Sequence, residues 1–146
     1  MSGFNPDLFL NTETDESNST TYIPVPEGEF PGSIKELKPR VLTDGRAVLD
    51  VTWIIESEEA REASGMAEPR CRQTIWLDLD SNGMLDFGKG KNVALGRLRE
   101  AVGQNQSGKI WQPGMLVGQM ATVKVTHSID KRDQSIQANV TSVVAS

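Results

Sequence analysis

Five stretches of this sequence alternate apolar and polar residues with a period of two, and one stretch breaks the rhythm. The exception is Asn92–Gly103, NVALGRLREAVG. Leu95, Leu98 and Val102, with Ala94 and Ala101, recur at three- and four-residue steps, the spacing of one apolar stripe on a helix. Asn92 suits the N-cap, where its side-chain oxygen would accept an orphan amide of the first turn. Gly103 suits the C′ position that stops a helix. Gly96 lies inside it, where glycine costs about 1 kcal/mol relative to alanine, so it is read as a point of close packing against a neighbour. Three alternating runs precede this helix and two follow it. That order is the strongest constraint on the fold.

The first run, Phe30–Val41, is entered through the proline-extended YIPVP and punctuated by Pro31, Gly32 and Pro39. Prolines belong at strand edges or bulges, and Gly32 permits a sharp bend. Asp44-Gly45 carries the hairpin signal. Arg46–Glu56 then places Leu49, Val51, Trp53 and Ile55 on one face and Asp50, Thr52 and Glu56 on the other. An acidic connection, Ser57–Pro69, has room for a helical turn before Gly65. Arg70–Asp80 divides into Cys71, Ile75, Leu77 and Leu79 against Arg70, Arg72, Thr74 and Trp76. After the helix, Met120–Ser128 turns Val123 and Val125 inward and Lys124 outward. Ser135–Val144 alternates Ile136, Ala138 and Val140 with Gln137, Asn139 and Thr141. Five strands with a helix between the third and fourth is the order of an OB-fold barrel. The expected fold is therefore mainly β: a five-stranded OB-like barrel over residues 22–146, preceded by an extended, flexible, acidic N-terminal arm over residues 1–21.

The net charge of −5 hides a segregation: residues 1–30 hold six carboxylates and no Lys or Arg, while the remainder carries 15 basic and 14 acidic groups. The near-neutral remainder has room for a local basic face. A single cysteine excludes an internal disulfide framework or a cysteine-based zinc site, fits a reducing compartment, and is read as a small buried apolar residue. The N-terminal segment lacks the basic and apolar regions of a secretory signal, and no run reaches the ~18 apolar residues of a membrane span. A cytoplasmic, membrane-free protein is expected.

Several local patterns imitate catalytic or metal motifs. Asp78-Leu79-Asp80-Ser81-Asn82-Gly83 opens like a calcium loop, but the twelfth position, which must supply a bidentate carboxylate, is Lys89. A hairpin-like turn closing the third strand is the better assignment. Gly83–Gly90 falls one residue short of a P-loop, since Gly90 stands where Ser or Thr would bind magnesium. Lys89 and Lys91 then read as a basic loop running into a helix N-terminus that favours a phosphate. His127 has no adjacent nucleophile pattern and is expected to be a hydrogen-bonded structural residue. No catalytic constellation, cofactor or metal is expected.

What remains is a binding pattern. Arg70, Arg72 and Trp76 share one strand face, and an aromatic ring among guanidinium groups stacks on unpaired bases while the cations take phosphates. The same residues suit a solvated, salt-bridged exterior with Trp76 packed under the acidic loop. The ligand surface usual to this barrel, strands two and three with the first and last turns, would add Arg40, Arg46, Lys131 and Arg132, with Lys124 on the fourth strand and Lys89 and Lys91 as a secondary patch.

The segments FNPDLFLN, YIPVPEGEFPGSI, LDVTW, RQTIWLDL, GKGKNVALGRLREAVGQN and GQMATVKVTHSID together resemble small early proteins of tailed phages regarded as single-stranded DNA-binding proteins. The resemblance implies an OB-like barrel that coats single-stranded DNA, without sequence preference and as a homo-oligomer, during phage replication or recombination in the host cytoplasm. Replication or recombination proteins are implied as further partners. The alternative is a non-enzymatic interaction or virion component, a β-barrel whose Phe4–Leu10 head docks on a neighbouring subunit.

Overall fold

The computed structural model describes residues 3–146. Part of the proposed arm, residues 1 and 2, lies outside the described residues. One helical turn, α1 (Pro6–Phe9), comes first, and residues 3–23 are all exposed. The chain then runs through β1 (Gly28–Val41), β2 (Ala47–Ile55), α2 (Glu58–Ser64), β3 (Arg70–Leu77), α3 (Val93–Ala101), β4 (Met120–Ile129) and β5 (Ile136–Val144). The strands close in the order β1-β2-β3-β5-β4, with β4 returning to β1. Every pairing is antiparallel except β3 with β5, where Arg72 faces Asn139. This is the expected five-stranded OB-like barrel, with a helix between β3 and β4.

Closure depends on β1 serving both halves of the barrel. Its first residues, Gly28–Ser33, pair with β4, and Gly32–Val41 pair with β2. The two pairings overlap at Gly32 and Ser33, where the strand bends inward. A Cβ on Gly32 would stand 3.0 Å from Trp53 Cε3 and 3.3 Å from Val123 Cγ2. The missing side chain is what lets the bend sit on the core. A bulge between Ile34 and Glu36 completes the curl.

The interior follows the alternation. Leu49, Val51, Trp53 and Ile55 of β2 meet Cys71 and Ile75 of β3, Val123 and Val125 of β4, and Val140 of β5. Trp53 is fully enclosed, and its Nε1 donates to Gln73 Oε1 at 2.9 Å, so the one polar atom of the indole is satisfied. Cys71 is buried as expected, and desolvation pushes its thiol up to about 11. His127 is structural too, with Nε2 2.6 Å from the Val25 carbonyl oxygen.

Helix α3 contributes Leu95 and Leu98 to the core and packs on β3 and β5. It ends in a Schellman arrangement, with Gln104 N donating to Arg99 O, Gly103 N to Glu100 O, and Gly103 at φ 73°. Three expectations about this region are corrected. Gly96 has no atom within 4 Å of where a Cβ would be, so it marks open space rather than close packing. Ala94 is exposed, outside the buried stripe. Asn92 does not cap the helix with its side chain. It lies in the left-handed region (φ 51°), and its amide bonds the preceding loop instead. Its Oδ1 accepts from Asp78 N at 2.8 Å, and its Nδ2 donates to the carbonyls of Asp78 and Asp86 at 2.8 and 2.9 Å. One side chain thereby fixes both ends of the turn after β3. The strand itself stops at Leu77, short of Asp80, and Leu79 pairs with Leu85 in an isolated bridge.

Candidate nucleic-acid interface

Pairing registers fix which residues share the outer face of β1, β2 and β3. Arg40 lies opposite Val48, which lies opposite Trp76; Lys38, Asp50 and Thr74 form the next row; Glu36, Thr52 and Arg72 form the third. Arg70, paired with Ile54, ends the β3 column. Six residues separate Arg70 from Trp76, about 20 Å along the strand.

At one end of this face Trp76 is 51% exposed. It is not packed under the acidic loop. The Arg46 guanidinium lies over its ring at 4.6 Å while also bonding Asp44 Oδ2 through Nε at 2.7 Å. The cation over the indole therefore comes across the hairpin from the β1–β2 turn. Arg72 is four residues away, about 13 Å along β3. The carboxylate of Asp44 holds Arg46 in place, and the outer edge of the indole is left to solvent.

The centre of the face is organised by Asp50, whose side chain is 7% exposed. It accepts from Arg40 Nε at 2.6 Å and from Thr74 Oγ1 at 3.2 Å, and Arg72 Nη1 lies 3.8 Å away. The hydrogen bond from Arg40 is the main reason this carboxyl is held below its usual range, with Thr74 and Arg72 adding to the effect against the opposing pull of burial. Arg40 is therefore committed to the protein. Arg72 is shared: its side chain is 59% exposed. Arg70 and Lys38 are exposed and make no ion pair among the described residues.

Lys38 was not among the sequence candidates. Its signal was its two-residue offset from Arg40, hidden by the neighbouring Pro39. The other candidates spread outward. The β4–β5 turn holds an exposed Lys131, and Arg132 is drawn onto Asp130 at 3.1 Å. That contact, through side chain and backbone, is the main cause of the lowered Asp130 carboxyl. Lys124 projects from β4 between Glu29 and Ser142, one strand beyond β5. Lys89 and Lys91 are exposed in the β3–α3 loop. At the helix N-terminus that follows them, the Asn92 amide donates to Asp78 Oδ2 at 2.8 Å.

The carboxylates of that loop are engaged with backbone amides: Asp80 Oδ1 accepts from Asn82 and Met84, and Asp86 Oδ1 from Gly88. Among the described residues no three His, Cys, Asp or Glu side chains gather as a metal site would require, and no helix is long and apolar enough to cross a membrane. No protein-family model matches the sequence, and no curated protein is significantly similar to it.

Proposed function

We propose that this protein binds single-stranded DNA with little sequence preference, without catalysing a reaction on it. The observation that carries this is Trp76, half exposed on the outer barrel face beneath Arg46, with Arg72 and Arg70 further along the same column. An unpaired base can stack on an indole whatever its identity, and guanidinium and ammonium groups beside it take the phosphates. Lys38, Arg70, Arg72 and Lys131 are the phosphate ligands of this scheme, with Lys124, Lys89 and Lys91 at its margins. Arg40 and Arg132, held by Asp50 and Asp130, shape the surface more than they grip the strand. The setting that goes with this function is the one the resemblance implies, DNA replication or recombination of a phage in its host's cytoplasm.

The test is an intrinsic tryptophan titration against single- and double-stranded oligonucleotides across a salt series. Trp53 is enclosed, so quenching reports on Trp76 and the half-buried Trp111, and the part lost in Trp76→Ala belongs to Trp76. Binding of single strands at low salt is expected, weakening with a log–log salt slope of roughly −3 if four phosphates are neutralised. Trp76→Ala, titrated by the anisotropy of a labelled oligonucleotide because it lacks the reporting indole, should weaken binding by about 1–3 kcal/mol, roughly 5- to 150-fold. No binding at low salt, or an unchanged affinity in Trp76→Ala, removes the proposal.

A further inference from the structure

Two apolar features of this molecule are unpartnered. The first is the N-terminal head. Residues 3–23 are exposed, yet the head is locally ordered: Asn5 Oδ1 accepts from Asp7 N at 3.0 Å, Pro6 opens α1, and the rings of Phe4 and Phe9 meet at 5.3 Å. Asparagine at the N-cap and proline at the first helical position both favour such a turn. Phe4, Leu8, Phe9 and Leu10 are 73%, 63%, 58% and 87% exposed. A preformed turn that displays four large apolar side chains loses little freedom when it docks.

The second is a cleft of about 810 Å³ beside α3, walled by Leu37, Leu77, Met84, Phe87, Trp111 and Val117 among others. Met84, Phe87 and Val117 are 66%, 80% and 48% exposed. One helical turn with its side chains, about 10 Å across and 6 Å long, fills roughly 500 Å³. The cleft therefore has room for the turn Pro6–Phe9. The charges also match. The described arm carries Asp7, Glu13, Asp15 and Glu16 and no basic residue. Lys109 lines an adjoining notch with Phe87 and Trp111, and Lys89 and Lys91 follow Phe87 in the sequence; none of the three makes an ion pair among the described residues. Within the cleft itself Lys35 is paired with Glu68, and Glu36 is acidic.

We infer that the Phe4–Leu10 head of one copy docks in the α3 cleft of the next, joining copies head to tail. The placement of the arm's root selects a second copy. Thr20–Pro24 lie against Asp133–Gln137 at the β4–β5 turn. Because β5 runs parallel to β3 with Asn139 at the level of Arg72, that turn sits at the Arg70 end of the barrel, and the cleft sits at the Leu77 end. These ends are about 25 Å apart along the strand direction. Within one copy the ten residues from Leu10 to Thr20, about 33–36 Å at full extension, would have to double back over a curved surface. In a neighbour stacked end to end, the cleft opens beside the root. Such a contact uses different surfaces on its two sides, so it yields a ring or an open row rather than a closed dimer.

The inference does not depend on nucleic-acid binding, and its test uses no DNA. Sedimentation velocity of the full chain over a wide concentration range should show mass rising above the monomer, and Phe4→Ser/Phe9→Ser should return it to the monomer. A peptide of residues 3–16, titrated into that double variant, should shift backbone amide signals of Met84, Phe87 and Val117. Its affinity should fall at least tenfold with added Phe87→Glu, a change at an exposed position that the fold tolerates. Rising salt should weaken it as well. A concentration-independent monomer overturns the inference, whether its cleft signals differ from those of the double variant (docking within one copy) or match them. Peptide shifts confined to the β4–β5 turn, or assembly that survives Phe4→Ser/Phe9→Ser, overturn it too.

Discussion

Replacing Gly32 by alanine tests the packing argument for barrel closure, with Gly96→Ala as an internal control of opposite sign. A methyl group at position 32 would lie 3.0 Å from Trp53 Cε3 and 3.3 and 3.4 Å from the two methyls of Val123. Neither neighbour can yield easily. Both are fully buried, and the indole is tethered through Nε1 to Gln73. Position 32 is also where β1 is paired on both sides, so backbone movement would disturb two ladders. Overpacking of this kind costs about 1–3 kcal/mol. The smaller freedom of an unfolded alanine chain returns about 0.4–1 kcal/mol, leaving a net loss of about 1–2 kcal/mol. At about 2–4 °C per kcal/mol for a domain of this size, Tm should drop by roughly 2–8 °C. At Gly96 a methyl group meets nothing within 4 Å, and helix propensity alone predicts a gain of about 1 kcal/mol. Urea denaturation followed by circular dichroism, with unchanged m, gives both values. A Gly32→Ala protein as stable as the parent would refute the claim that the bend needs the absent side chain. A destabilised Gly96→Ala protein would show that the helix face is covered.

The clasp made by Asn92 should be separable from its backbone conformation: Asn92→Gly keeps the left-handed residue and loses three side-chain hydrogen bonds, so hydrogen exchange should accelerate at Asp78 and Asp86 while the strands stay protected. Asp50 is held below its unfolded pKa mainly by Arg40, so its contribution to stability is present above about pH 4 and fades as pH falls through the lower folded value. Tm measured from pH 5 to 2 should decline less steeply in Asp50→Asn than in the parent. Cys71, buried with its thiol pushed up to about 11, should resist a thiol reagent at pH 8 in the native protein and react at once in denaturant; rapid native reaction would contradict its burial.

Strand positions were legible because β3 and β4 alternate buried and exposed residues, and β2, though buried on its outer side too at Val48, Asp50 and Ile54, keeps Leu49, Val51, Trp53 and Ile55 in step on the core side. The OB-like order followed from where the helical rhythm interrupted it. Features that depend on three-dimensional partners were not legible. An asparagine before a helix predicts a cap only if nothing better is nearby, and Asp78, fourteen residues back, offers more hydrogen bonds. Gly96 carries no mark that distinguishes a tight contact from open space. Arg46 reaches Trp76 only through the β2–β3 register, and Lys38 joins the face only through its pairing opposite Asp50. The cleft beside α3 draws on β1, β3, the β3–α3 loop and the segment before β4, so no local window contains it.

The arrangement also explains how an acidic chain can display a usable cationic surface. The arm and α2 hold most of the excess carboxylates, while the outer face of β1–β3 sets Lys38, Arg40, Arg46, Arg70 and Arg72 against Glu36, Asp44 and Asp50. Asp50 does not simply subtract from that surface. By fixing Arg40 and drawing on Arg72 from the middle of the sheet, it leaves Lys38 beside it, Arg70 at one end and the Arg46–Trp76 stack at the other as the cations it does not hold. A carboxylate in the middle of the face therefore sets how its cations are spread along the strand direction, and under the proposed function a ligand reaching both ends is extended and anionic.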